Sequence, residues 1–532
     1  MSVILLEPPR PEDPNRCEDV VNAPLSACLF TGYIASVLKK HAIEVEIIHA
    51  HLYDWSVEQT ITHLSKKNIS LLCVHTLYLW EKMRDIFTML SGVKSRNIRT
   101  HINLYGYYPT FAYKKILNSF PCVDSVTVGE PEFTTLDLAK HLISKRMTPE
   151  SPSASVSSLP FSQGRITGLA YRDTDGKVTF YPRSPIEDLD QLPYPYRQDI
   201  DLYKKKNIAT YIQGSRGCYG HCTFCYLNPF YGRTNQWRGR SAKNIFEEIL
   251  TLSTEYSLKD FYFSDANFFG PGKSGQERAA TLAELILAHD LTIRFGFECR
   301  VNDIEEHSLS KLVMAGLTNV FLGLESGDPA SLRRFKKHTT VDENKRAIQL
   351  LREYGIEPTF GFLMFEPNST LESIRNNFEF LQEMRIMTTP AVTAHLLYHR
   401  QTLFEGTPDY QSMIHQNTNT HAPFTTYEIP YKIKDPKVDI FSEIITTVCR
   451  AILSSLPKTF ICNETTLSRR SMEPGPLETV NDLLIMFFEK TLSDFEADII
   501  DYSAPTVVKE VSQKLICEIE ANVQSLSSSN IK

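Results

Sequence analysis

Long apolar runs are missing from this 532-residue chain; none approaches the ~20 residues that a membrane-spanning helix needs. Positive charge is not in excess either. The 56 Lys and Arg are outnumbered by 63 Asp and Glu, and a net charge of −7 argues against the electrostatic footprint of a general nucleic-acid binder. The cysteines lack a secretory pattern. There are 11, an odd number, and most are scattered, so reduced thiols in a cytoplasmic protein are the simpler reading. The first residues carry no basic leader or small-residue cleavage site and read as a first strand. No Gly-x-Gly-x-x-Gly follows that strand, which disfavours a nicotinamide-binding fold. What is present, 42% hydrophobic and 22% charged residues, is the balance of a globular protein long enough for two or three domains.

Residues 1–145 alternate short apolar, β-branched runs with amphipathic helical runs. The strands fall near 3–6, 44–49, 69–75, 101–105 and 125–128, which predicts an α/β, doubly wound Rossmann-like domain with a parallel sheet. Residues 146–204 read as linker and connector. They begin Ser- and Pro-rich and include a hairpin over 166–181 that turns at Asp173-Thr174-Asp175-Gly176. A second βα series occupies 205–410, with strands near 208–213, 260–264, 292–298, 319–324, 358–365 and 393–398. Six such units predict a partial (β/α)6 barrel with its active site at the strand C-termini. Residues 411–532 are mainly helical. They cover the barrel mouth, shape a pocket or mediate association.

The segment Gly214-Ser-Arg-Gly-Cys218-Tyr-Gly-His-Cys222-Thr-Phe-Cys225 follows the first strand of that second series. Thiolates hold iron–sulfur clusters, and a short loop with Gly217 and Gly220 can wrap three of them round one cluster. Three protein thiolates for four irons leave one iron open, as catalysis requires. Short cysteine spacings also suit zinc, with His221 inside the loop, but no second Cys/His pair at zinc-like spacing follows.

The spacing Cys-x-x-x-Cys-x-x-Cys, with Phe224 before the last cysteine, resembles the radical S-adenosylmethionine (SAM) superfamily. The resemblance implies a [4Fe–4S] cluster on Cys218, Cys222 and Cys225 whose open iron binds SAM, and an external electron donor such as flavodoxin or ferredoxin. It also implies SAM-holding roles for strand-end residues: Asp265 and Asn267 after the second strand, Glu298 and Arg300 after the third, and Glu325 and Ser326 in Gly323-Leu-Glu-Ser-Gly327 after the fourth. The segment 361–367 after the fifth belongs to the adenine side. Each carboxylate could equally be a solvated loop charge or a structural ion pair. Cys299 reads as a small buried hydrophobe ahead of a second catalytic thiol. Tyr398, His399 and Arg400 end the sixth strand, lining a substrate pocket or capping the barrel.

A doubly wound domain ahead of such a barrel resembles the cobalamin-dependent radical SAM class over about residues 1–400. Pro24-Leu25 before the first helix, Gly106-Tyr107-Tyr108-Pro109 and Val128-Gly129-Glu130-Pro-Glu132 match that class, and imply cobalamin contacts from Gly106, Tyr107, Tyr108, Gly129 and Glu130. The Asp-x-His-x-x-Gly motif of many cobalamin domains is absent. His49, His51 and His75 lie near strand ends without its spacing, so Thr76 and Leu77 would lie near the lower face. The alternative is a Rossmann-like domain without cofactor, serving as a platform. The resemblance implies a methyltransferase that moves a methyl group from SAM through methylcobalamin to an unactivated carbon or phosphinate phosphorus of a small molecule, as in natural-product biosynthesis. A cobalamin-associated rearrangement, cyclisation or ring contraction is the alternative reaction. An iron–sulfur electron carrier or sensor is the non-enzymatic one. Methylthiolation of tRNA fits less well, because Cys17, Cys28, Cys73 and Cys122 form no second cluster pattern and the tail is not strongly basic.

Overall fold

The apolar runs of the N-terminal part form strands buried along their length: β1 (Val3–Glu7), β2 (Val45–His49), β3 (Leu71–His75), β4 (His101–Tyr105) and β5 (Ser125–Thr127). Burial on both faces is what a parallel sheet covered by helices demands, and these five pair parallel in the order β2-β1-β3-β4-β5. The computed structural model describes residues 2–9, 29–76, 83–147, 165–205, 209–231, 237–416, 428–456 and 476–529. Pro24-Leu25 and Leu77 lie outside them. The hairpin expected within the connector does not stand apart. Its first strand, β6 (Leu169–Arg172), pairs antiparallel with β5, and its second, β7 (Val178–Phe180), pairs antiparallel with β6, so the hairpin extends this sheet. Asp173 builds the turn, accepting from the backbone N–H groups of Asp175 and Lys177.

The second series gives β8 (Thr210–Ile212), then a two-residue antiparallel pair, β9 (Ser215–Arg216) with β10 (Arg238–Gly239). It continues with β11 (Asp260–Phe263), β12 (Arg294–Arg300), β13 (Leu317–Glu325) and β14 (Thr359–Phe362). Among the described residues the main sheet is parallel, ordered β14-β13-β12-β11-β8.

Residues 393–398 are not its sixth strand. They belong to a helix, Pro390–Tyr398, that Thr389 caps by accepting from Val392 N at 3.4 Å, with Pro390 in the first turn. A short apolar run is ambiguous between strand and helix; the cap and the proline in the first turn decide here. The sixth strand shrinks to one parallel bridge between Phe365 and Arg400. There Phe365 N donates to His399 O at 3.1 Å and Gln401 N donates to Phe365 O at 2.8 Å. Tyr398 and His399 therefore end a helix, not a strand.

The C-terminal helices Pro436–Ser455, Pro476–Glu496 and Val507–Ser529 share one hydrophobic core with the barrel. Phe488 meets Phe378 at 4.8 Å and Phe441 at 5.2 Å between ring centroids, so the tail packs against the flank where the sixth strand is missing. Each such buried ring contributes about 1.5–3 kcal/mol. The N-terminal core in turn takes in Tyr226, Phe230, Tyr231 and Phe404 from the barrel part. Among the described residues no helix is long and apolar enough to cross a membrane.

Candidate functional site

Past β8 the chain enters the cysteine loop, which is tied on one side to residues after β11 and β12 and on the other to two helices. Asp265, buried beyond β11, accepts from Gly214 N at 2.7 Å and from Ser215 Oγ at 2.9 Å. Burial pushes its carboxyl up to about 6, against the opposing pull of Arg278 and these hydrogen bonds. Asn267 uses both ends of its amide, donating to Asp303 Oδ2 at 2.6 Å and accepting from Gly270 N at 2.6 Å. Asp303 also takes the hydroxyl of Tyr219, inside the loop. On the other side Thr223 N donates to Phe335 O at 3.0 Å and Thr223 Oγ1 to Asp409 Oδ2 at 2.9 Å. Phe224 sets its ring edge-on to Phe335 at 5.5 Å. Asp265 and Asn267 thus spend their side chains on the loop and its surroundings.

The three thiols are half-buried and unoxidised. Burial pushes the thiols of Cys218 and Cys225 up, and the neighbouring sulfurs add to it, while Gly220 N, 3.3 Å from Cys218 Sγ, works in the other direction. Two cations stand over them. Arg300 Nη1 lies 3.7 Å from Cys222 Sγ, and its guanidinium also bonds the carbonyl of Lys337 and covers the Tyr219 ring at 5.4 Å. Lys337, buried, pairs with Glu325 Oε1 at 2.8 Å; burial works against its ammonium, but Glu325 and the nearby Cys222 hold it above the ordinary lysine range. A Cβ on Gly220 would come within 2.6 Å of Arg300 Nη1, so only glycine lets the guanidinium settle there. Ser326 donates to Asn377 Oδ1 at 2.7 Å, and Glu298 is half-buried at the end of β12. Cys299 is buried, and burial raises its thiol well above the ordinary range, which leaves it an inert filler.

Among the described residues no three His, Cys, Asp or Glu side chains are grouped tightly enough to hold a single metal ion. The donor set suits a polynuclear cluster: three thiols on one bending loop, with Arg300 and Lys337 beside them to balance the charge of thiolates.

Across the loop lies the carboxyl edge of the N-terminal sheet, where doubly wound folds take their ligands. Glu7 ends β1, buried, and both of its oxygens lie 2.9 Å from His75 Nδ1, while Thr31 donates to it. Burial would raise its carboxyl, but His75, helped by His49 and His51, holds it down at about 2. His75 therefore spends Nδ1 on Glu7. A cavity beside this pair is lined by Glu7, Thr31, His49, His51, Asp199 and Tyr203. Thr76, at the end of β3, is fully buried, and its Oγ1 has no hydrogen-bond partner among the described residues. Gly106 (φ +123°) abuts it, and a Cβ there would stand 2.0 Å from Thr76 O, so the glycine is required by the joining of the two strand ends. Gly129 (φ +82°) is different: among the described residues a Cβ would meet no atom nearer than 3.9 Å. Tyr107 packs on Tyr226 at 4.6 Å and on Phe230 at 4.7 Å, which joins this edge to the residue after Cys225. Tyr108 is buried, and burial raises its phenol.

Glu130, just past β5 at this same edge, spends its carboxylate on cations of the barrel part. With Glu132 it meets Arg216, two residues before Cys218. Arg216 donates through Nη1 to Glu130 Oε1 at 2.9 Å and through Nη2 to Glu132 Oε1 at 2.5 Å, and its side chain is wholly buried. Arg238 adds a second cation at 3.0 Å from Glu130. Both strand-end segments stood out in the sequence, but as separate features. Nothing linear says that residues 84 apart meet, so Arg216, Arg238, Lys337 and Asp303 were not foreseen as parts of the site.

Residues 212–381 match the family model described as the radical SAM superfamily. Over 394 residues the chain is 25% identical to an uncharacterized methyltransferase of Pyrococcus horikoshii, covering 73% of this chain and 79% of that one. Over 393 residues it is 24% identical to the 4′-phospho-dehydrooxetanocin synthase of Priestia megaterium, covering 70% of this chain; the match spans 50% of the synthase. Among solved structures, the cobalamin-dependent S-adenosylmethionine radical enzyme OxsB, with aqua-cobalamin and S-adenosylmethionine bound, matches with a TM-score of 0.70 at 19% identity, over 99% of this chain and 79% of that one. At that identity the likeness is one of fold.

Proposed function

We propose, from the match of residues 212–381 to the radical SAM family model, that the chain is a radical SAM enzyme and acts as a cobalamin-dependent methyltransferase on a small molecule. The observation that carries it is one loop, Cys218 to Cys225, clasped between a radical SAM sheet and the carboxyl edge of a doubly wound sheet. When bound, a [4Fe–4S] cluster with one open iron supplies the electron that cleaves SAM to a 5′-deoxyadenosyl radical, and methylcobalamin supplies the methyl group.

The chain's own residues bind and orient. Cys218, Cys222 and Cys225 are the cluster ligands and must lose their protons on loading, against the burial that raises the thiols of Cys218 and Cys225. Arg300 and Lys337 balance the resulting charge, Asp265 and Asn267 set the loop's entry, and Glu298, Glu325, Ser326 and Phe224 belong to the SAM side. Thr76, with its orphaned buried hydroxyl, and Gly129, where a Cβ would meet no described atom nearer than 3.9 Å, fit a corrin approaching the edge. Gly106, Tyr107 and Tyr108 form the wall behind it. Glu130, paired with Arg216, joins that edge to the cysteine loop. An external one-electron donor and a cytoplasmic setting are part of the same reading.

The acceptor is an unactivated carbon or a phosphinate phosphorus. The likeness to a protein named a synthase, not a methyltransferase, keeps a second reading, a cobalamin-associated rearrangement, cyclisation or ring contraction. Methyl-labelled SAM separates the two: label in the product is expected, and 5′-deoxyadenosine with an unlabelled, rearranged product would replace methyl transfer by the second reading. Corrin-free protein after expression with cobalamin supplied would remove cobalamin from both.

A further inference from the structure

We propose that Arg333, Lys336 and His338 form the docking face for a small acidic electron-carrier protein, a reduced iron–sulfur or flavin protein, that delivers one electron to the cluster on Cys218, Cys222 and Cys225. The proposal rests on the radical SAM reading and adds to it where the donor binds.

Charge is the first observation. The chain carries a net −7, yet five of the six residues from 333 to 338 are basic. Two of the five are neutralised: Arg334 Nε pairs with Glu366 at 2.5 Å and Lys337 with Glu325 at 2.8 Å. Arg333, Lys336 and His338 are exposed.

The backbone is the second. Lys336 (φ +51°) and His338 (φ +54°) both sit in the left-handed region, which disfavours any residue but glycine. The alternation sends Lys337 inward to Glu325 and leaves its two neighbours on the surface. Such strain persists where the surroundings over-determine it.

Position is the third. The inner side of this run is bonded to the cysteine loop. Phe335 O accepts from Thr223 N at 3.0 Å, the Phe335 ring abuts Phe224, Lys337 O takes Arg300, and the His338 ring lies 6.3 Å from that of His221, between the first two cysteines. The exposed cations therefore mark the surface directly over the loop.

In the step itself one electron leaves the carrier, which is oxidised, and the cluster is reduced by one. Electron-transfer encounters are weak and small, so a short charged face is enough, and complementary charge raises the encounter rate by roughly 10- to 1,000-fold in a salt-dependent way.

The test uses the full reconstituted chain and the rate of 5′-deoxyadenosine formation, driven either by a reduced acidic flavodoxin or by dithionite. The variants are Arg333→Glu and, because glycine accepts a left-handed backbone, Lys336→Gly. Iron content and melting temperature serve as folding controls. The carrier-driven rate of the double variant should fall about tenfold at low salt, with the gap closing at high salt, while the dithionite-driven rate stays at the wild-type value. An unchanged carrier-driven rate, or equal losses with both reductants, overturns the docking face. Wild-type protein that cleaves no SAM even with dithionite overturns the underlying reading instead.

Discussion

At the carboxyl edge of the barrel sheet, Asp265, Asn267, Thr223 and Ser326 hold the cysteine loop and its surroundings through directed hydrogen bonds, many of them to backbone. At the carboxyl edge of the N-terminal sheet, the work falls to buried ion pairs: Glu7 with His75, and Glu130 and Glu132 with Arg216. The materials fail differently. A hydrogen bond lost from a redundant set costs about 0.5–1.5 kcal/mol. A buried ion deprived of its partner keeps its desolvation penalty with nothing to offset it. The barrel edge should tolerate single losses, and the N-terminal edge should not. The clasp between them, Arg216, stands on the brittle side although it lies in the barrel's own loop.

The largest effect tests what both edges serve. Cys218→Ala, Cys222→Ala or Cys225→Ala should each reduce SAM cleavage to background, with iron and sulfide contents falling alongside; a variant that keeps a SAM-responsive cluster would show that the loop is not its holder. Next comes Arg216→Met, which strands Glu132 in the interior and should cost about 3–5 kcal/mol, read from the shift of a urea midpoint. Adding Glu132→Gln should recover part of the loss, and strict additivity would show that the two are not coupled.

Acid brings out the other ion pair. Glu7 is held at about 2, below the 4.5 of an unperturbed glutamate. Its contribution is complete above about pH 4.5 and is lost as pH falls toward 2, and it amounts to about 3 kcal/mol at 1.36 kcal/mol per pKa unit. His75→Gln should move acid unfolding, followed by circular dichroism, to higher pH. The smallest effect is expected at the barrel edge: Ser215→Ala removes one donor to Asp265 while Gly214 N remains, for a loss of about 1 kcal/mol. A loss as large as that of Arg216→Met would erase the contrast between the edges.

Much of this was legible along the chain, and for local reasons. Strand burial follows from apolar runs, and the candidate cluster loop from three cysteines and two glycines within eight residues of one another. Residues 393–398 misled because Leu396, Leu397 and Tyr398 suit either a strand or a helix, and the cap at Thr389 lies outside the run. The hairpin at 169–180 was visible as a hairpin but not as part of the first sheet, since pairing with β5 depends on a contact more than 40 residues away.

The sequence by itself determined the candidate cluster loop, because its three thiols are neighbours and their spacing carries the chemistry. Only the tertiary structure decided what Glu130 and Glu132 do. A carboxylate's role is set by the nearest cation in space, and Arg216 reaches it only after two separately formed sheets have brought their carboxyl edges together.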